Sequence, residues 1–123
     1  MIIRVFKEAG IKLINVVRRE EQVEMLKNEY GADIVLNSTS EDFDAELYKL
    51  AQESNATVAL DAVAGEMPGR LLNAMPVDSI LISYGQLSEQ KIGPVNPVTF
   101  IFRNQRIEPF LLPYWLQSKG IFA

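Results

Sequence analysis

Two adjacent arginines, Arg18 and Arg19, are the side chains in this sequence best suited to bind a charged ligand. They directly follow a stretch from Leu13 to Val17 that is apolar except for Asn15, and a helical pattern begins at Glu20. Such a stretch is typical of a strand buried on both faces of a parallel sheet. Because α/β proteins bind ligands outside the carboxyl ends of their strands, we expect the two guanidinium groups where an anion would bind.

The chemistry expected of this pair is recognition of a phosphate group. In a dinucleotide-binding fold, an acidic residue at the end of the second strand accepts hydrogen bonds from the ribose of NAD, whereas arginine accommodates the 2′-phosphate of NADP. No Asp or Glu ends the strand here, so a bound dinucleotide is expected to be NADP(H). The alternative is a solvated helix start in which Arg18 and Arg19 pair with Glu20 and Glu21. The residues alone leave both interpretations open.

Two further turns follow predicted strands. Residues 61–65, DAVAG, carry small side chains that would let a ligand approach the backbone, and Gly65 permits a positive φ. Tyr84 and Gly85 end the next strand at the same sheet edge. Both segments could equally be ordinary tight turns. Asp61 has no visible partner in the sequence and is expected to cap its turn rather than act as a base.

Apolar and aromatic residues are concentrated near the carboxyl end of the chain. Phe100, Ile101 and Phe102 could pack on a nicotinamide ring, although the pattern alone favours a place in the core. The segment FLLPYW, residues 110–115, falls on and just after the last predicted strand, where Pro109 argues for an edge position. Pairing of this edge across a two-fold axis would make a homodimer, whereas neighbouring residues or another domain could also cover it.

Strands alternate with helices along the chain, which predicts right-handed βαβ units. The expected fold class is therefore α/β, a Rossmann-like, doubly wound and mostly parallel sheet in a single partial domain, residues 1–123. Strands are predicted at 13–17, 33–36, 57–60, 79–83 and from Arg106 to Leu112. Helices are predicted at 2–9, 20–30, between Ser40 and Asn55, at 66–75, as one turn at 99–102, and at 113–119.

The composition restricts the chemistry available. The 123 residues include no Cys and no His, which excludes disulfides, thiolate nucleophiles, Cys- or His-based metal sites and the commonest general base. We therefore predict no catalytic residue and no metal site. The net charge of −4 and the lack of a long basic run argue against nucleic-acid binding. No apolar run is long enough for a membrane span, so a cytoplasmic protein, or one of an organelle matrix, is expected.

Several segments taken in order resemble the medium-chain dehydrogenase/reductase superfamily. They are INVVRRE, YGADIVLN, VALDAVAGE, SILISYGQLS, FIFRN and PFLLPYW. The likeness is to the zinc-independent quinone-reductase-like and 2-enoyl thioester reductase branch, and it extends from about Ile2 to Lys119. It implies an NADPH-dependent reductase that adds hydride to an activated double bond, and dimerisation through the strand from Arg106 to Leu112.

The resemblance also implies a cofactor-binding role for nine residues. Arg18 and Arg19 would bind the 2′-phosphate, and the others would lie along the ribose and nicotinamide: Ala62, Val63, Tyr84, Gly85, Phe100, Ile101 and Phe102.

The sequence departs from this family in what it lacks. The first strand and glycine-rich turn of the family precede the helix with which the chain starts, so the expectation is a fragment lacking that turn and the catalytic domain. Loss of the strand would leave groups of two and four strands without the one that joins them. The alternative function is a non-catalytic interaction or dimerisation module derived from such a reductase.

Overall fold

A computed structural model describes residues 2–120, and the chain divides into two compact units, Met1–Ser54 and Asn55–Ala123. Each unit is built on its own parallel sheet. The predicted α/β class with parallel strands is confirmed, and the strands lie in two small sheets. That residues 1–123 form a single dinucleotide-binding domain stays a prediction.

The first unit alternates helices and strands around a two-stranded sheet. Its elements are α1 (Ile2–Glu8), β1 (Ile14–Val17), α2 (Glu20–Glu29), β2 (Ile34–Asn37) and α3 (Phe43–Ser54). Strands β1 and β2 pair in parallel, with Ile14 opposite Ile34 and Val17 opposite Asn37. One cluster of its core consists of Val23, Ala32 and Val35, against which Ile3, Val17 and Leu26 pack, and Phe43, Leu47 and Ala51 of α3 are also buried.

Strand β1 is less buried than its sequence suggests. All four of its residues are only partly buried, so the prediction of a strand buried on both faces is wrong. The physical reason is that β1 pairs with one neighbour, β2, among the described residues. Its partner β2 carries the buried positions, Val35 and Leu36.

The second unit contains a three-stranded parallel sheet. Its elements are β3 (Val58–Asp61), α4 (Met67–Ala74), β4 (Ile80–Ser83), α5 (Pro97–Phe102), β5 (Arg106–Pro109) and α6 (Leu112–Ser118). The strand order is β3-β4-β5, so the central β4 carries the most buried strand residue, Leu81. Leu72 of α4 is also fully buried. The described residues of this sheet supply three strands, not the four that the sequence argument expected.

Strand β5 lies at the edge of its sheet, as Pro109 predicts, but it is shorter than expected. The strand ends at Pro109, and Leu112 already begins α6. Pro113 explains the difference, because proline is favoured in the first turn of a helix and cannot donate to a sheet. The prediction that the strand extends to Leu112 is therefore wrong.

Helix α5 does not belong to the core. It lies against α4 with Phe100 half-buried, but Ile101 is 69% exposed and Phe102 is 81% exposed. The core placement that the apolar pattern favoured is wrong for these two residues, because a helix of six residues buries only one side. No helix within residues 2–120 is long and apolar enough to cross a membrane.

Candidate functional site

The arginine pair lies at the carboxyl end of β1, between this strand and α2. Arg19 is the N-cap residue of α2 and has an extended backbone, with φ −131° and ψ 146°. Both arginines are exposed. The first unit therefore presents two cationic side chains at the sheet edge where ligands of parallel α/β folds bind.

Hydrogen bonds from both sides hold the backbone of this loop, which comprises Arg18 and Arg19 and is called the arginine loop below. From α2, the Oε1 atom of Gln22 accepts the amide of Arg18 at 3.2 Å and the amide of Arg19 at 3.1 Å. From the segment after β2, the hydroxyl of Thr39 donates to the carbonyl oxygen of Arg18 at 3.4 Å. The amide of Ser38 donates to the carbonyl oxygen of Val17 at 2.7 Å. These hydrogen bonds thus hold the backbone of the loop in place without a ligand.

The two guanidinium groups are not tied to the acidic start of α2. Within residues 2–120, the structure shows no ion pair or hydrogen bond at either guanidinium group. The carboxylate of Glu20 instead accepts a hydrogen bond from the side-chain amide of Asn37, at 3.2 Å. This arrangement does not match the salt-bridged helix start that the sequence left open.

In the second unit, the buried carboxylate of Asp61 organises the turn after β3. Asp61 is 2% exposed, and its two oxygens accept the backbone amides of Val63 at 3.2 Å and Ala64 at 2.9 Å. The expectation that Asp61 caps a turn is confirmed. Ala64 and Gly65 both have a positive φ, 63° and 65°, so this turn is a tightly wound one.

The segment after β4 lies along this turn through hydrogen bonds between their backbones. The amides of Tyr84, Leu87, Ser88 and Gly93 donate to the carbonyl oxygens of Asp61, Ala62, Val63 and Gly65, respectively, at 2.9–3.0 Å. The hydroxyl of Ser88 also donates to Val63, at 2.6 Å. Gly85 approaches Ala62 closely enough that a Cβ on Gly85 would lie 2.8 Å from the Ala62 carbonyl oxygen.

The structure brings together four of the residues singled out from the sequence, Ala62, Val63, Tyr84 and Gly85. Phe100, Ile101 and Phe102 lie on α5, which packs against α4, and the arginine loop belongs to the first unit. Sequence reasoning missed Gln22, Thr39 and Ser88. A Gln at the third position of a helix is a known capping signal, so Gln22 could have been found. The hydroxyl of Ser88 bonds to a residue far away in the sequence, Val63, and no local pattern indicates this contact.

A cleft in the first unit does not include any of these residues. It is lined by α1 and by residues at the amino ends of β1 and β2, among them Lys7, Leu13 and Asp33. The arginine loop lies at the opposite, carboxyl end of the same strands. The cleft is thus separate from the candidate site.

The parallel βαβ units and the sites at their carboxyl edges define a Rossmann-like α/β protein. Residues 1–120 match the family described as zinc-binding dehydrogenase. The chain belongs to this family, and thereby to the medium-chain dehydrogenase/reductase superfamily that its motifs resemble.

Similar proteins place the chain within the superfamily. The mitochondrial enoyl-[acyl-carrier-protein] reductase of Dictyostelium discoideum is 30% identical over 121 residues, covering 95% of this chain and 34% of that protein. A crystal structure from Mesorhizobium loti, assigned as an NADPH:quinone reductase, is 36% identical with a TM-score of 0.87, covering 97% of this chain and 34% of that one. These relatives support the quinone-reductase-like and enoyl thioester reductase branch. The chain spans about a third of their length.

More distant structures share the fold. The Etr1p/Etr2p heterodimer, a mitochondrial 2-enoyl thioester reductase of Candida tropicalis, has a TM-score of 0.79 at 22% identity, covering 94% of this chain and 34% of that one. Etr1p has also been solved with NADP and crotonyl-CoA, with a TM-score of 0.80.

The zinc ion in the family's description does not fit the residues of this chain. Zinc in proteins is held mainly by Cys and His, and the sequence contains neither. Among residues 2–120, no group of three or more Asp or Glu side chains converges on one point. No step involving zinc is therefore assigned to the side chains of this chain.

Proposed function

We propose that this chain is the nucleotide-binding part of an NADPH-dependent oxidoreductase that reduces an activated C=C bond or a quinone-type acceptor. One observation carries the cofactor assignment: Arg18 and Arg19 present exposed guanidinium groups at the carboxyl end of β1, where no carboxylate ends the strand. Relatives described as NADPH:quinone and enoyl reductases support the reaction class.

The guanidinium groups of Arg18 and Arg19 suit the binding of a phosphate ester. Arginine presents several N–H donors in a planar fork that matches phosphate oxygens, and each charge-assisted bond contributes about 1.5–3 kcal/mol. A carboxylate at the same position would repel the 2′-phosphate and favour NAD(H). Arg18 and Arg19 would therefore select NADPH through the 2′-phosphate.

Residues of the second unit are also proposed to contact the cofactor, as the family resemblance implies. Ala62 and Val63 form the turn beside Gly85, and Tyr84 follows β4 with an exposed ring. These residues would lie along the ribose and nicotinamide, with Phe100, Ile101 and Phe102 near the ring. Bound NADPH supplies the hydride, whereas the residues proposed here bind and orient the cofactor.

The test is a thermal-melt titration of the 123-residue chain with NADPH and NADH in parallel. A ligand present at 100 times its dissociation constant stabilises the folded state by about 2.7 kcal/mol, which a melting curve resolves. We expect stabilisation by NADPH that NADH does not reproduce and that the double variant Arg18→Ala/Arg19→Ala loses. The matched control is Arg4→Ala, which removes an exposed arginine of α1. A cooperative melt with no shift from either nucleotide would contradict the proposal.

A second candidate function is an interaction module that pairs two copies of the chain through β5. The edge strand is followed by exposed apolar residues, which include Leu111, Tyr114 and Trp115. The rings of Phe110 and Trp115 lie 6.2 Å apart and so form one aromatic surface. A homodimer through this edge is compatible with NADPH binding, and in the absence of such binding it would be the main function. Its test is the oligomeric state of the chain in solution.

The proposed location is an organelle matrix, with the cytoplasm as the alternative. The support is that enoyl reductases similar in sequence, those of Dictyostelium discoideum and Schizosaccharomyces pombe, are described as mitochondrial. Expression of the complete coding sequence with a fluorescent tag and comparison with a mitochondrial marker would test it.

A further inference from the structure

The side chain of Gln22 accepts hydrogen bonds from the backbone of the arginine loop. Its Oε1 atom lies 3.2 Å from the amide of Arg18 and 3.1 Å from the amide of Arg19. Two N–H donors can converge only on an acceptor, so the oxygen of the side-chain amide must face the loop. Gln22 also begins the hydrogen bonding of α2, because its own amide donates to the carbonyl oxygen of Arg19 at 3.1 Å.

We propose that Gln22 is a positioning residue that sets the preference of this site for a phosphorylated ribose. The inference rests on the proposed function, because it concerns how Arg18 and Arg19 recognise the 2′-phosphate of NADPH. Gln22 would act in two ways: its side chain fixes the backbone of both arginines, and its neutral amide adds no negative charge beside the phosphate.

The backbone amides of the arginine loop are not free to bind a phosphate. Amides at the start of a helix commonly bind phosphate groups. Here the amides of Arg18 and Arg19 are already engaged by Gln22. A phosphate would therefore be bound by the guanidinium groups and not by these two amides, which makes its recognition depend on side-chain charge.

The acceptor that Gln22 supplies carries no charge. A glutamate at position 22 would accept the same two amides, since Gln and Glu both serve as the third residue of a capping box. It would also place a negative charge about 3 Å from the backbone of both arginines. Glu20 and Glu21 already lie in this helix turn, so the neutral amide of Gln22 prevents a third negative charge beside the bound phosphate.

Two substitutions separate the capping role from the effect on selectivity. Gln22→Glu keeps the acceptor and suits the positive end of the helix dipole, so the ligand-free chain should melt no lower than the unsubstituted chain. Gln22→Met keeps the length of the side chain and its helix propensity but removes the acceptor, so it should lower the melting temperature.

The deciding measurement is the ratio of the dissociation constants for NADH and NADPH, determined by titration calorimetry on the 123-residue chain. We expect Gln22→Glu to lower this ratio about five- to tenfold, with the affinity for NADH unchanged. A purely structural role would change both affinities together. Repeating the titration at high salt should reduce the difference, because screening weakens repulsion between exposed charges.

The outcomes distinguish this inference from the proposed function. If the unsubstituted chain shows no preference for NADPH, both are wrong. If Arg18→Ala/Arg19→Ala loses the preference while Gln22→Glu and Gln22→Met both retain it, the proposed function stands and the role of Gln22 is refuted. If Gln22→Glu loses affinity for NADPH and NADH equally, Gln22 only supports the fold and the inference is likewise refuted.

Discussion

Gly85 lies so close to Ala62 that a Cβ atom added to Gly85 would come within 2.8 Å of the carbonyl oxygen of Ala62. The contacted carbonyl group belongs to the backbone of Ala62, so it cannot rotate away as the end of a flexible side chain would. The turn after β3 and the segment after β4 are therefore packed at a distance that only glycine permits at position 85.

The first prediction is that Gly85→Ala destabilises the second unit. Overpacking of this kind costs about 1–3 kcal/mol, because the backbone has to shift. Chemical denaturation followed by circular dichroism measures the free energy of unfolding. Gln86→Ala is the matched control, since Gln86 is exposed and should change the stability by less than about 0.5 kcal/mol. Equal stability of the two variants would show that the turn and the segment are not held at this distance.

The second prediction concerns the carboxylate of Asp61. Asp61→Ala would leave the amides of Val63 and Ala64 without their acceptor, at a cost of about 2–4 kcal/mol. Asp61→Asn keeps one acceptor oxygen and should cost about half as much. Hydrogen exchange at the two amides, measured by NMR, should speed up in the same order. Unchanged protection at Val63 and Ala64 in Asp61→Ala would refute the capping role.

A third prediction concerns the end of α4. One guanidinium nitrogen of Arg103 donates to the carbonyl oxygens of Asn73 at 2.8 Å and Met75 at 2.9 Å. The side-chain amide of Gln105 donates to those of Leu72 at 2.7 Å and Met75 at 3.2 Å. These donors add hydrogen bonds to carbonyl groups at the end of α4, where a helix leaves carbonyl groups without intrahelical partners.

Arg103→Met is therefore expected to lower the free energy of unfolding by about 1–3 kcal/mol. The matched control is Arg106→Met, because Arg106 is exposed and forms an ion pair with the exposed Glu108, at 3.5 Å. Surface pairs of this kind contribute about 0–1 kcal/mol. Since Arg103 and Gln105 share the carbonyl oxygen of Met75, the effects of substituting both should not be additive. Additive effects would show that the two side chains act independently.

The fourth prediction concerns the proposed dimer. Trp115→Ala removes a large aromatic side chain beside β5 and should weaken self-association at least about tenfold, as truncation of an interface anchor commonly does. Sedimentation velocity across a concentration series measures this effect. Tyr30→Ala, which removes an exposed aromatic residue of the first unit, should leave it unchanged. A chain that stays monomeric at every concentration would exclude pairing through this edge.

Much of the fold follows from local sequence signals. All five strands of the described residues begin within one residue of their predicted positions because short apolar runs bounded by Gly, Pro or polar residues define them. The arginine loop was found because two cationic residues directly follow such a run. The exposure of Ile101 and Phe102 was not predictable, since an apolar pattern does not specify which neighbours cover it. The contact between Gly85 and Ala62 depends on residues far apart in sequence and leaves no local pattern either.

Strand β5 has a feature that limits how any second strand could add to it. The amides of Arg106 and Phe110 donate to Ser79 and Ser83, so the amides of alternate residues are directed towards β4. The residues whose amide positions face the opposite, open edge are Ile107 and Pro109, and proline has no N–H. This edge therefore offers one backbone donor, at Ile107, within the strand.

The presence of a single donor limits how a second molecule can pair with β5 beside the exposed apolar residues 110–115. A sheet can be extended by strands of other molecules when its open edge offers a regular row of donors and acceptors. Along such a row, the added strand can also pair in more than one register. The edge of β5 lacks such a row, so a partner can pair there only over a very short length and in one register. Pro109 therefore limits strand addition at this edge, which disfavours open-ended aggregation. The apolar and aromatic segment at residues 110–115 can still form a defined contact with a partner.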